Sequence, residues 1–221
     1  MAIFDDELRR LKENLLKLGA MVESAVNNSV RSLVERDSNL ADEVIIKDYL
    51  INALDVEIDE ECIRLIALRQ PKAGDLRSII TAMKITTDLE RIGDLAVNIA
   101  ERALELNQEP QLKPYIDIPR MAEIVQEMVR DSLDMFVAGC KELPNDFVSK
   151  EKIVDDLNVQ VFNELLLYMM QDQDTITRAT RITYISKYLE RIADHATNIA
   201  EDVIYMCKGK LIRHTEVFEE E

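Results

Sequence analysis

The chain has 221 residues and a formal net charge of −16, from 27 Lys and Arg against 43 Asp and Glu. That excess opposes bulk attraction to nucleic acid or to an anionic membrane surface, which argues against direct DNA binding. Five Gly, five Pro, five Phe and no Trp, beside abundant Leu, Ile, Ala, Glu and Asp, point to long helices, and 47% hydrophobic residues suffice for packed cores.

The first residues, Met1 to Glu7, are acidic where a secretion signal needs positive charge. No run approaches the ~18 apolar residues of a membrane span, so a soluble chain is expected. Cys62, Cys140 and Cys207 are odd in number, far apart and in no CxxC pair. Neither a disulfide framework nor a thiolate zinc site is therefore expected, and a reducing cytoplasm fits.

From about Asp5 to Arg36, Leu8, Leu11, Leu15, Leu18, Val22, Ala25, Ser29 and Leu33 recur at helical spacing and predict one long helix. Asp37-Ser38-Asn39 supplies capping side chains for a second helix that runs to about Arg69. Pro71 and Gly74 break the pattern, and Asp75 is the expected cap of a third helix ending near Asn107. Pro110, Pro114 and Pro119 then mark an aperiodic join. On the fourth helix Met121, Met128 and Met135 fall seven apart, a spacing that suits adaptable core rather than a metal or haem site. Pro144-Asn145-Asp146 marks the next turn, a fifth helix extends to about Gln171, and Thr175 is expected to cap a sixth running to about Gly209.

The third and sixth helices carry an internal repeat. Leu89 to Glu101 and Leu189 to Glu201 match at ten of thirteen positions with an offset of 100. Earlier in each half the offset is 103: Ser29 matches Ser132 and Leu54 matches Leu157, so the second half is three residues shorter in its last hairpin loop. The economical architecture is all-α, two tandem pseudo-symmetric three-helix bundles over 1–109 and 110–221.

On a helix, Ile85, Leu89, Ile92, Ala96 and Ile99 gather on one face, as do Ile185, Leu189, Ile192, Ala196 and Ile199. Glu90, Asp94, Asn98 and Glu101 fall nearly opposite, as do Glu190, Asp194, Asn198 and Glu201. Burial cannot explain this outward acidic stripe, and a merely solvated face would tolerate Lys, Gln or Ser in one copy. The 103 offset adds a second pair of motifs, Asp48 with Asn52 and Glu151 with Asp155, each about one helical turn apart. Helices joined by a short loop run antiparallel, which puts Asp48 and Asn52 level with Glu90 and Asp94, and Glu151 and Asp155 level with Glu190 and Asp194. Carboxylates converging without an equal number of cations repel, so they bind protons more tightly or call for a metal ion. Oxygen-only ligands suit Mg, Mn or Ca, and carboxylate clusters also take iron. The alternative is two acidic stripes that flank the groove without closing on it, with Arg91 and Arg191 supplying ordinary surface ion pairs.

A di-iron oxidase would need inward Glu and ExxH pairs, but His195 and His214 lack a Glu at that spacing. His195 has Leu95 as its counterpart and reads as a satisfied or solvent-facing side chain. No P-loop, GxGxxG, nucleophile elbow or Cys/His dyad occurs, which gives a non-enzyme as the leading class. The C-terminal Glu219-Glu220-Glu221 reads as a solvated tail.

Leu89-Glu-Arg-Ile-Gly-Asp94 with Asn98 and Leu189-Glu-Arg-Ile-Ala-Asp194 with Asn198 resemble the two signature segments of the PhoU family. The resemblance extends to Ile66-Ala-Leu-Arg-Gln-Pro71 with Asp75-Leu-Arg77, and to the tandem layout. It implies a cytoplasmic, often dimeric regulator of phosphate uptake, with surface metal clusters (Mg, Mn, Fe or Zn) on repeated E/DxxxD motifs. The implied metal residues are Asp48, Asn52, Glu90 and Asp94 in the first half and Glu151, Asp155, Glu190 and Asp194 in the second. The implied partners are a two-component sensor histidine kinase and the ATPase of the phosphate ABC transporter, both restrained when phosphate is plentiful. Membrane contact would come only through them, and no nucleic acid is implied. Asn52 is neutral and Leu95 stands where many relatives have His, so the first site is expected to bind metal more weakly. Two rivals remain: a metal-dependent hydrolase of phosphorylated substrates using the same carboxylates, and a purely structural scaffold.

Overall fold

Among the described residues six α-helices form, because apolar side chains recur along each at helical spacing and have a partner face to cover them. The computed structural model describes residues 2–139 and 143–209. Cys140, His214 and the Glu219-Glu220-Glu221 tail lie outside the described residues. The elements are α1 (Ala2–Val34), α2 (Ser38–Arg69), α3 (Ala73–Asn107), α4 (Asp117–Val137), α5 (Phe147–Gln171) and α6 (Ile176–Lys208), with a 3-10 turn, Gln173–Thr175, before α6.

The capping chemistry is partly as expected. Asp37 caps α2, its carboxylate accepting from the amides of Asn39 and Leu40 at 3.0 and 3.2 Å. Arg36, left-handed at φ 56, turns back and donates to the carbonyls of Asn107 and Glu109 at 2.7 and 2.6 Å, which ties the α1–α2 turn to the end of α3. Asp75 does not cap α3. That helix starts at Ala73 behind Lys72, which gives no side-chain cap, so Gly74 and Asp75 lie inside the first turn, where the carboxylate favours the helix dipole. Thr175 stands at the N-cap of α6 as expected but gives no side-chain cap: its hydroxyl donates to the Asp172 carbonyl at 2.6 Å, while the Asp172 carboxylate accepts from the Asp174 amide at 2.9 Å.

Within each half the first two helices flank the third: α1 and α2 pack on α3, and α4 and α5 on α6. The halves join through α3 against α6 and α1 against α4, so one apolar core runs through both. All ten stripe residues of α3 and α6, from Ile85 to Ile99 and from Ile185 to Ile199, are fully buried, as are Met121 and Met128, with Met135 nearly so. Burying each such Leu, Ile or Met stabilises the fold by roughly 1.5–3 kcal/mol relative to exposure. Gly19 lets α1 approach α4: a Cβ there would stand 2.3 Å from Leu133 Cδ1.

Lys84 of α3 reaches Asp202 of α6 at 2.8 Å near one end of that helix pair, and Arg181 of α6 reaches Glu105 of α3 at 2.6 Å near the other. The two helices therefore run antiparallel and cross near Ile92 and Ile192, where the pseudo-twofold axis must pass. Of the described cysteines, Cys62 is free and buried, whereas Cys207 is disulfide-bonded, which corrects the expectation of no disulfide: distance along the chain does not keep cysteines apart once helices pack. No described helix is long and apolar enough to cross a membrane.

Candidate metal centres

The carboxylates stand where antiparallel neighbours bring two acidic ridges level, between α2 and α3 and again between α5 and α6. In the first half Gly93 permits the approach, since a Cβ at that position would lie 3.2 Å from Ile51 Cγ2 and 3.6 Å from Asp48 Oδ1. Asp48 is half-buried; its Oδ2 accepts from Asn52 Nδ2 at 2.8 Å, while its buried Oδ1 has no hydrogen-bond partner. Burial pushes the Asp48 carboxyl above its usual range, and the nearby Asp94 adds to the rise. Glu90 is raised too, by burial first and then by Asp94, with Asp55 and Asp48 contributing and Arg91 opposing. Arg91 supplies the surface pairing that the alternative reading expects, at 3.5 Å from Glu90 and 3.3 Å from Asp94.

In the second half Glu151 is half-buried and its Oε1 accepts from the Thr197 hydroxyl at 3.0 Å. Burial raises its carboxyl, and Asp155, Asp194 and Glu201 push the same way. Asp155 and Asp194 are more exposed, yet both are raised by the burial they retain and by Glu190. The cation offsetting them is Lys187, 2.6 Å from Glu190, not Arg191. Glu190 Oε2 is buried without a hydrogen-bond partner.

The structure thus brings Asp48, Glu90 and Asp94 into one electrostatic neighbourhood, and Glu151, Asp155, Glu190 and Asp194 into another. Asn52 stands at the exposed margin, holding Asp48. As the side chains are oriented, no three His, Cys, Asp or Glu among the described residues converge closely enough to hold a metal ion. A cation would have to draw the carboxylates inward from these positions. The chemistry of the donors fits a hard cation: all are oxygens, negative charge exceeds positive in both places, and each cluster has one buried oxygen without a partner.

Some participants are not legible in the motif. Asp55, raised by burial and by Asp59, extends the first cluster along α2, but its counterpart is Asn158, so a comparison of halves hides it. Its position seven residues after Asp48 on the same face is the signal that finds it. Thr197 and Lys187 face Glu151 and Glu190, although their counterparts are Val97 and Thr87. His195 is satisfied, as expected: Nδ1 lies 2.8 Å from Asp88 Oδ1 across the α3–α6 contact.

Comparison with known proteins bears on the family and the fold. A family model described as PhoU domain matches residues 15–103 and 118–203, one copy per half. The chain is 44% identical over 213 residues to the phosphate-specific transport system accessory protein PhoU homolog of Aquifex aeolicus, covering 96% of each. It is 42% identical to the protein of that description from Pseudomonas putida, covering 96% of this chain and 83% of the relative. Among solved structures, PhoU from Pseudomonas aeruginosa superposes with a TM-score of 0.88 at 41% identity, over 94% of this chain and 100% of that one. The phosphate transport system regulatory protein PhoU from Streptococcus pneumoniae gives 0.84 at 32% identity, over 94% and 98%. With a domain match in each half, relatives aligned over nearly the whole chain and the same six-helix architecture, this chain belongs to the PhoU family.

Proposed function

We propose that the protein is a metal-binding, non-enzymatic negative regulator of phosphate uptake, an adaptor between the phosphate ABC transporter ATPase and a sensor histidine kinase. It would act in the cytoplasm as a homodimer, each unit, 1–109 and 110–221, carrying one metal cluster. The observation that carries this reading is the pair of carboxylate clusters, repeated on the outer faces of both halves and left with more negative than positive charge. The names of relatives, as accessory and regulatory proteins of phosphate transport, support the biological setting.

Asp48, Asn52, Glu90 and Asp94 would hold one set of ions, and Glu151, Asp155, Glu190 and Asp194 the other, with Mg, Mn, Fe or Zn as the metals. A bound cation supplies a positive centre with open coordination positions that can accept a phosphate or carboxylate oxygen from outside. Positions on outer helix faces suit docking on a partner better than a hydrolase, which needs a partly dry, concave site. The test charges purified protein with each metal and measures melting temperature and affinity for the two partners. If neither changes with any metal, the metal-coupled regulator is wrong. Phosphatase activity abolished by Glu190→Ala and Asp194→Ala would favour the hydrolase instead.

A further inference from the structure

The internal repeat provides a control for every cavity, because each half shows how the other could have been filled. A cleft of about 370 Å³ opens between α1 and α2, with a mostly apolar lining that includes Met21, Ala25, Val44 and Ile51. At the 103 offset, Ala25 corresponds to Met128 and Val44 to Phe147. Both larger side chains are fully buried and belong to the main core, so at these two positions the second half carries seven more side-chain heavy atoms than the first. In the first half Val44 joins Ala41 and Ala100 in a small apolar cluster separate from the main core.

The rim diverges in the same sense. In the second half Lys150 is held by Asp131, Asp146 and Glu127 at 2.9, 3.1 and 3.3 Å, and its side chain is only 16% exposed. In the first half Asn28 and Ser24 replace Asp131 and Glu127. Lys47, the counterpart of Lys150, pairs with Glu43 at 2.7 Å on the rim and its side chain is 63% exposed. Two smaller side chains and two lost carboxylates therefore set the first half apart.

We propose that this cleft is a binding site for a small, neutral aromatic molecule bearing one hydrogen-bonding substituent. Its ring would lie against Ala25 and Val44, where the second half places Phe147, and its substituent would meet Ser24 and Asn28. The volume lies in the range of small-molecule sites, and an apolar cavity of about 150 Å³ already takes up benzene. The charged rim selects neutrality: Lys17 and Lys47 offset Glu43 and Asp48, in a chain whose surface is otherwise strongly acidic. The site requires no metal, although it shares Asp48 with the first carboxylate cluster.

The test titrates the full chain, in EDTA, with 4-fluorobenzyl alcohol followed by fluorine NMR. Saturable binding of one equivalent is expected. The double variant Ala25→Met with Val44→Phe, which copies the second half, is expected to bind at least tenfold more weakly, whereas Leu167→Ser with Met170→Ser, on the exposed face of α5, leaves affinity unchanged. Should the double variant fail to fold by circular dichroism, Ala25→Leu and Val44→Leu singly are each expected to weaken binding. No saturable binding by the parent chain, undiminished affinity in the filled variants, or loss of affinity with the α5 variant overturns the proposal.

Discussion

Glu151 is half-buried on α5 and shares its surroundings with Asp155, Asp194 and Glu201, and the Thr197 hydroxyl donates to it. Glu151→Gln keeps an oxygen to accept from Thr197 and removes the charge. In chelator, relief of burial and repulsion is expected to stabilise the fold by about 0.5–1 kcal/mol. For a chain of this size that is a rise in melting temperature of roughly 1–4 °C. With metal the sign reverses. A cation at a hundred times its dissociation constant adds about 2.7 kcal/mol per site, and a tenfold weaker site at the same concentration adds only about 1.4 kcal/mol. Glu151→Gln should therefore melt above the parent in EDTA and below it in saturating metal. Differential scanning calorimetry in both conditions reads the crossing. A variant that melts below the parent in EDTA, or whose metal-induced rise equals the parent's, refutes the assignment of Glu151 as an uncompensated carboxylate that binds metal.

The remaining predictions concern pH, packing and thiol chemistry. In EDTA, the raised carboxyls of Asp48, Glu90, Glu151, Asp155 and Asp194 bind protons more tightly when folded, so their contribution to stability grows as pH falls from neutral through their folded values. Glu7 opposes them: hydrogen-bonded by Arg69 and Arg64, it is held down at about 2, and its contribution is lost as pH falls from its ordinary 4.5 toward that value. Melts from pH 7.5 to 3 should show a maximum at mildly acidic pH in EDTA, and a monotonic fall if the clusters carry no excess charge. Gly19→Ala should destabilise by about 1–3 kcal/mol in urea, because the new Cβ meets buried Leu133, whereas Gly74→Ala, with nothing within 4 Å, should stabilise by up to about 1 kcal/mol. The Cys62 thiol, pushed up to about 12 by burial and by Asp59 and Glu61, should resist alkylation in the native protein at pH 8 and react on unfolding; a native-state rate near that of free cysteine contradicts this.

The fold was legible because its signals are periodic and repeated. The stripes Ile85 to Ile99 and Ile185 to Ile199 define which face of α3 and α6 is inside, and the offset of 100 between them defines the tandem layout. Local capping was less legible, since several short polar residues compete at each turn: Asp172 caps the 3-10 turn before α6, and α3 begins at Ala73 with no side-chain cap at all. Counting from the turns placed Asp48 beside Asp94 and Asp155 beside Glu190, because an antiparallel pair has one free parameter and the loop length sets it. Side-chain contacts across the register, such as Thr197 with Glu151 or His195 with Asp88, depend on the crossing angle and rotamers and leave no pattern in the chain.

What distinguishes the halves is as informative as what they share. The buried stripes of α3 and α6 must match because each helix packs on the other about a pseudo-twofold axis, so a change in one is felt by both. The outer helices are under no such constraint: α2 and α5 touch only their own half. There the second half carries Phe147, a largely buried Lys150 and two carboxylates, Glu151 and Asp155, while the first carries Val44, an exposed Lys47, a neutral Asn52 and an added Asp55. Symmetry held in the centre and released at the edges lets one scaffold offer two chemically different surfaces, which a symmetric pair of bundles could not do.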